Sequence, residues 1–211
     1  MHYARPLIAG SAAVLAAILG ATAAVAATTW TITPGGAVSS TATKVSFKDT
    51  KTGSIFTCLS VTVKATLKSG SGLPGFGAGS ISAVTFGNCT SPLAAVLPRT
   101  AIVLPLTAVA LPWRLNLDGY SGGVATGHIG HMKIRMSGPP CKTVIDGTSQ
   151  TATDGTLKFS YSDSTGQLTT LTGGDLHFYD VRGCAGLFND NDPLTISGTF
   201  PLSPKQKITS P

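Results

Sequence analysis

Four cysteines are the residues whose type and spacing say most about chemistry: Cys58, Cys89, Cys141 and Cys184. An even number of cysteines behind an export-type leader reads as two disulfides. Tetrahedral zinc is the competing chemistry, but no Cys-x-x-Cys spacing occurs, so zinc is not expected. Four cysteines allow three pairings. Cys58–Cys89 with Cys141–Cys184 is favoured, because each bridge then stays inside one copy of an internal repeat. The crossed set, Cys58–Cys184 with Cys89–Cys141, would respect the same symmetry.

The remaining reactive residues make weaker patterns. Gly119-Tyr120-Ser121-Gly122-Gly123 fits G-x-S-x-G, yet that motif needs a strand-to-helix elbow and a parallel sheet. A glycine-rich hairpin turn explains it better. His128 and His131 are three apart, which on a strand sends them to opposite faces. Chelation would require a bulge at Gly130. Asp175, His177 and Tyr179 share one strand face as a polar group. Asn189-Asp190-Asn191-Asp192 is rich in oxygen but lacks the calcium-loop frame. The chain has no Glu, and its nine acids are all Asp, mostly in turn-like contexts. Paired carboxylates for glycoside hydrolysis are therefore hard to assemble. No catalytic set, metal ligand or cofactor is expected, and the balance leans away from an enzyme.

The elements that would position these groups are strands. Thr (29) and Ser (20) make nearly a quarter of the chain, Gly is 25 and Pro 13, a mixture poor in helix formers. Period-2 alternation recurs, as in Leu59, Val61, Val63, Ala65 and Leu67 against Ser60, Thr62, Lys64, Thr66 and Lys68. The expectation is an all-β fold, an antiparallel β-sandwich or barrel of about 10–12 strands. By the same parity, Cys58 and Cys89 fall opposite the apolar faces of their strands, off the main core or at bulges. The glycine-rich stretch Gly70–Gly79 reads as a mobile hairpin connection.

Two stretches stand apart. Residues 1–27 carry a basic start, an apolar run and an Ala-rich end, the pattern of a cleaved signal peptide; an uncleaved anchor is the alternative. Residues 91–113 are apolar, with Leu-Pro recurring at 97–98, 104–105 and 111–112. Two prolines interrupt the uncharged run, so it is not a spanning helix. It reads as a buried or edge strand, or as an exposed loop in which Leu97, Leu104 and Leu111 contact lipid or ligand.

The only two tryptophans, Trp30 and Trp113, each precede a cysteine, Cys58 or Cys141, by 28 residues. Two divergent copies follow, 28–111 and 112–211, packed as one unit. The net charge is +6. Lys44, Lys48, Lys64 and Lys68, with Lys133, Arg135 and Lys142, can form a basic face for anionic polymers or lipid headgroups. Nucleic acid is not an expected partner.

The opening Thr29-Trp30-Thr31-Ile32-Thr33-Pro34-Gly35-Gly36, the stretches Asn88-Cys89-Thr90 and Ser137-Gly138-Pro139, and the ending Ser203–Pro211 resemble those of small secreted all-β proteins of actinobacteria, a group with no assigned activity. The resemblance implies secretion from a Gram-positive cell and adds no catalytic residue. The leading expectation is a secreted or wall-associated non-enzymatic β protein that binds an envelope polymer, a lipid or another protein. The alternatives are a secreted hydrolase and a protease inhibitor.

Overall fold

Strands occupy most of the chain, as the alternation and the scarcity of helix formers require. The computed structural model describes residues 29–90 and 104–210, so the leader reading and Leu97 lie outside the described residues. In chain order the strands are β1 (Thr29–Thr33), β2 (Gly36–Asp49), β3 (Ile55–Leu67), β4 (Gly70–Pro74), β5 (Gly79–Thr90), β6 (Leu106–Val109), β7 (Trp113–Ser121) and β8 (Val124–Ser137). They continue with β9 (Lys142–Asp146), β10 (Gly155–Ser162), β11 (Gln167–Thr170), β12 (His177–Arg182), β13 (Leu194–Ser197), β14 (Thr199–Pro201) and β15 (Lys207–Thr209). There are more segments than the expected ten to twelve because bends divide single strands. β6 and β7 flank Ala110 (φ 57°), and both pair with β5 on one side and β8 on the other. β13 and β14 flank Gly198; the first pairs with β2 and the second with β11.

That last pair of contacts closes a ring. The order is β2, β3, β5, β6–β7, β8, β10, β11, β13–β14 and back to β2, antiparallel throughout. Closure leaves the ring without a free edge except at one seam, where residues 40–45 of β2 and 198–202 are not paired with each other. Val61, Ile81, Leu115, Ile129, Phe159 and Ile196 point inward. Thr41, Thr43, Lys64, Thr66 and Thr85 point outward and are exposed. This arrangement is the reverse of a membrane barrel, whose outer band is apolar. No described helix is long and apolar enough to cross a membrane.

Both ends of the ring are covered. At one end β15, β1 and β4 form a three-stranded sheet that buries Trp30, Ile32 and Ile208. Gly70–Pro74, expected within a mobile connection, is thus a paired strand. Gln206 fastens this sheet to the ring. Tyr161 Oη donates to Gln206 O (2.7 Å) and accepts from Gln206 N–H (2.9 Å), while Gln206 Oε1 accepts from Gly35 N–H (2.8 Å). At the other end Phe188 packs against Phe56 and Phe178, with centroids 5.7 and 4.8 Å away. There β9 and β12 extend the sheet from the far half of β8.

The disulfides are Cys58–Cys89 and Cys141–Cys184. Each joins neighbouring antiparallel strands: β3 to β5, and the start of β9 to the segment after β12. All four cysteines are buried, so the bridges do not lie off the core; Cys58–Cys89 instead sits at a break in strand parity, the other position the alternation allowed. The reason is a face inversion. Lys44 (φ 56°) and Asn88 (φ 49°) stand on either side of Leu59 in neighbouring strands, and the inward set changes parity at that level. On β2 it passes from Ala42 to Val45, and on β3 from Cys58 to Val61. Leu59, expected inside, is 52% exposed.

Of the apolar segment, Leu104, Leu106 and Trp113 are buried, while Pro105, Thr107, Ala110 and Pro112 are exposed. Leu104 is 1% exposed, with its N–H donating to Cys89 O, so it is a core residue and not a surface contact for lipid. Leu111 is half-buried against the core, because Leu106–Val109 enters the ring between β5 and β8.

Candidate binding face and polar clusters

The register aligns one row of hydroxyls across four strands. Thr41 pairs with Thr62, Thr62 with Thr85, and Thr85 with Thr107; Arg135 of β8 continues the row. Neighbouring strands lie about 4.8 Å apart, so the hydroxyls repeat at that spacing. Thr41 and Thr62 are in hydrogen-bond contact at 3.0 Å, and Ser46 and Thr57 at 3.3 Å. Ser39, Thr43, Ser60 and Thr66 extend the polar surface above and below the row.

Positive charge lies on the same wall. Lys44, Lys48 and Lys64 are exposed on β2 and β3, and Lys68 follows β3. Among the described residues none of these four lysines is in an ion pair. The one acid on β2, β3 or β5 is Asp49, which is buried and turned to the N–H groups of Lys51 and Thr52. Arg135 and Lys142 are exposed as well, but Lys133 is not part of a wet face. Its Nζ lies 3.0 Å from buried Asp146 and also donates to Gln150 O.

Asp175, His177 and Tyr179 remain neighbours, but Ser121 is not brought into hydrogen-bond contact with any of the described histidines. Ser121 ends β7 at a two-residue turn made by Gly122 and Gly123, both at positive φ (57° and 82°), as a tight hairpin demands. No hydrogen bond joins a serine or threonine hydroxyl to a histidine among the described residues. A bulge does occur beside Gly130, where His131 has φ 62° and the β8–β10 register shifts. It brings both histidines to the outside, yet both ring nitrogens of His128 are engaged. Gly77 N–H donates to Asn116 Oδ1 (2.9 Å), which leaves the Asn116 amide nitrogen to donate to His128 Nε2 (3.0 Å). His128 Nδ1 then carries the proton and donates to Asp118 Oδ2 (2.8 Å). This chain fixes the tautomer and buries Asn116 under the loop after β4.

Asp175 Oδ1 lies 3.2 Å from His177 Nδ1, without hydrogen-bonding geometry. Tyr179 Oη donates to Gly147 O (2.7 Å), and burial pushes its hydroxyl pKa up, helped by Asp175, Asp146 and Asp154. The oxygen-rich loop is consumed internally. Asp190 accepts from Val181 N–H (2.9 Å), and Asp192 accepts from Asn189 Nδ2 (2.8 Å) and pairs with Lys51 (3.3 Å). No group of three metal-ligating residues forms among the described residues.

Sequence reasoning missed the Asp146 cluster. Asp146 is fully buried and accepts from the N–H groups of Gly147 (2.8 Å), Thr153 (3.1 Å) and Asp154 (3.1 Å) as well as from Lys133. Asp154 in turn accepts from Thr148 N–H (2.9 Å) and Oγ1 (2.6 Å), closing the loop between β9 and β10 on itself. Two Asp-Gly steps eight residues apart, Asp146-Gly147 and Asp154-Gly155, were the available signal. No family model matches the chain, and no curated protein or solved structure matches it significantly.

Proposed function

We propose that this protein is exported and acts outside the cell or at its surface, as a non-enzymatic barrel that binds an anionic polymer of the envelope. The observation that carries the reading is the outer wall of β2, β3, β5 and β6, where a four-threonine row and the unpaired Lys44, Lys48, Lys64 and Lys68 are free of exposed acid. A polyanion of repeating units meets cations and hydroxyls at strand spacing, and the attraction is screened by salt. Two disulfides support an oxidising compartment. The resemblance to secreted actinobacterial proteins points the same way. The two copies, 28–111 and 112–211, belong to this proposal. Each half sets a 14-residue strand, β2 or β8, beside a cysteine strand bridged to its own neighbour.

The test is sedimentation of the oxidised protein with purified Gram-positive walls and, separately, with anionic and neutral liposomes. Binding to walls that weakens several-fold in Lys48→Glu/Lys64→Glu, and again on raising salt from about 0.05 to 0.5 M, is the expected result. Protein left wholly in the supernatant with walls sinks the proposal. Binding unaffected by charge reversal rejects the basic face.

A further inference from the structure

Asn116 is a buried junction with one permitted orientation. It is 4% exposed, its Oδ1 accepts from Gly77 N–H (2.9 Å), and its Nδ2 donates to His128 Nε2 (3.0 Å). A side-chain amide accepts at one end and donates at the other, so its two neighbours must be one donor and one acceptor. Gly77 N–H is a donor at every pH. The chain therefore holds only while His128 Nε2 keeps its lone pair. His128 is 35% exposed, so protons from solvent reach it.

Histidine is the side chain that gains its second proton between about pH 8 and 5. On His128 that proton makes Nε2 a donor, set against the donating Nδ2 of Asn116. Turning the amide over resolves the conflict, because Oδ1 then accepts a charge-assisted bond from the imidazolium, stronger than the neutral bond it leaves. The same turn points Nδ2 at Gly77 N–H, which loses its acceptor. The charged groups around His128 come from three strands and a loop. Asp118 of β7 favours the imidazolium directly, with Oδ2 2.8 Å from Nδ1. Lys158 of β10 pairs in register with His128, but its ammonium lies beside Gly173. Arg114 of β7 is turned to the Phe76 ring, His131 lies past the bulge on β8, and Lys68 Nζ reaches the loop near Gly77.

The bond to Gly77 holds a loop against the barrel. Gly75, Phe76 and Gly77 connect β4 to β5 and are pinned twice, by Leu117 N–H donating to Gly75 O (3.0 Å) and by the bond from Gly77 to Asn116. The first pin is backed by the core: a Cβ on Gly75 would stand 2.8 Å from Trp30 Nε1. Between the pins Phe76 is 68% exposed, with the Arg114 guanidinium 4.4 Å from its ring centroid.

We propose that His128, Asn116 and Gly77 form a proton-operated latch: a second proton on His128 inverts the Asn116 amide and frees the Gly77 side of the Phe76 loop, while the Gly75 side stays pinned. The latch does not rest on the binding of any polymer.

The experiment is amide hydrogen exchange, read by NMR on the oxidised protein at about pH 7.5 and about pH 5, with each rate divided by that of an unstructured peptide at the same pH. Protection of Gly77 should fall roughly five- to tenfold at the lower pH, the worth of one net hydrogen bond, while that of Leu117 holds. His128→Gln keeps a side-chain acceptor that does not titrate, so the fall should vanish. Asn116→Asp supplies two acceptor oxygens, one for Gly77 and one for the imidazolium, so Gly77 should stay protected at the lower pH. If that variant does not fold, His128→Gln decides alone. Unchanged Gly77 protection in the wild type overturns the proposal, since the imidazolium then swings away and leaves the amide in place. An equal fall at Leu117 does the same, because the loop then opens as a whole. A fall that persists in His128→Gln assigns the sensor to another group, and one of wild-type size in Asn116→Asp refutes the amide inversion.

Discussion

Replacing Asp146 by Ala should be the most damaging single polar substitution in the molecule. Its carboxylate is fully buried, takes three backbone N–H groups and holds the Lys133 ammonium at 3.0 Å, a side chain itself only 15% exposed. Removing one partner of a buried ion pair costs about 3–5 kcal/mol, because the other charge is stranded. Each buried N–H left unpaired adds about 1–3 kcal/mol. Thr153 and Asp154 are half-buried, so water can reach their amides and the sum stays near the lower bound. A loss of about 3–5 kcal/mol is expected for Asp146→Ala, a large share of an ordinary domain's 5–15 kcal/mol. Asp146→Asn keeps one acceptor oxygen and should cost roughly half as much. The assay is urea unfolding of the oxidised protein, read as a shift in midpoint at unchanged slope. Hydrogen exchange at Gly147, Thr153 and Asp154 reports whether the loop has opened locally. A cost below about 1 kcal/mol for Asp146→Ala would place this pair with ordinary surface ion pairs and refute the reasoning.

The face inversion and the acid limb give two further tests. Leu59→Ser should change stability by less than about 0.5 kcal/mol, as exposed positions do, whereas Val61→Ser should cost more than about 2 kcal/mol; equal costs in urea unfolding would mean that Leu59 faces the core. Burial pushes the Asp192 carboxyl up, but donation from Asn189 and Lys51 outweighs it and holds the pKa below the ordinary Asp value. A depressed folded pKa contributes stability above the unfolded value of about 3.9 and loses it as pH falls through the folded value. The stability gap between wild type and Asp192→Asn should therefore shrink as pH drops below about 4, and a gap that stays constant down to pH 2 would contradict this.

Local chemistry was legible in the chain itself. The excess of Thr, Ser and Gly and the lack of Glu excluded helices, since propensity is summed residue by residue. Gly122-Gly123 announced a hairpin because few other residues tolerate positive φ at both turn positions. The favoured disulfide pairing, Cys58–Cys89 with Cys141–Cys184, followed from the expectation that each bridge stays inside one copy of a proposed repeat. What only the tertiary structure decided was which face each residue takes once a ladder is interrupted. At the level where β2 carries left-handed Lys44 and β5 carries left-handed Asn88, the inward set changes parity on the intervening β3 as well, so Leu59 faces solvent while Cys58 is buried. Likewise, no local pattern shows that Asp146 meets Lys133, that β13 returns to β2 to close the ring, or that Gly77 meets Asn116. Those outcomes depend on strands distant in sequence, whose pairing is fixed by closure of the barrel and not by any residue alone.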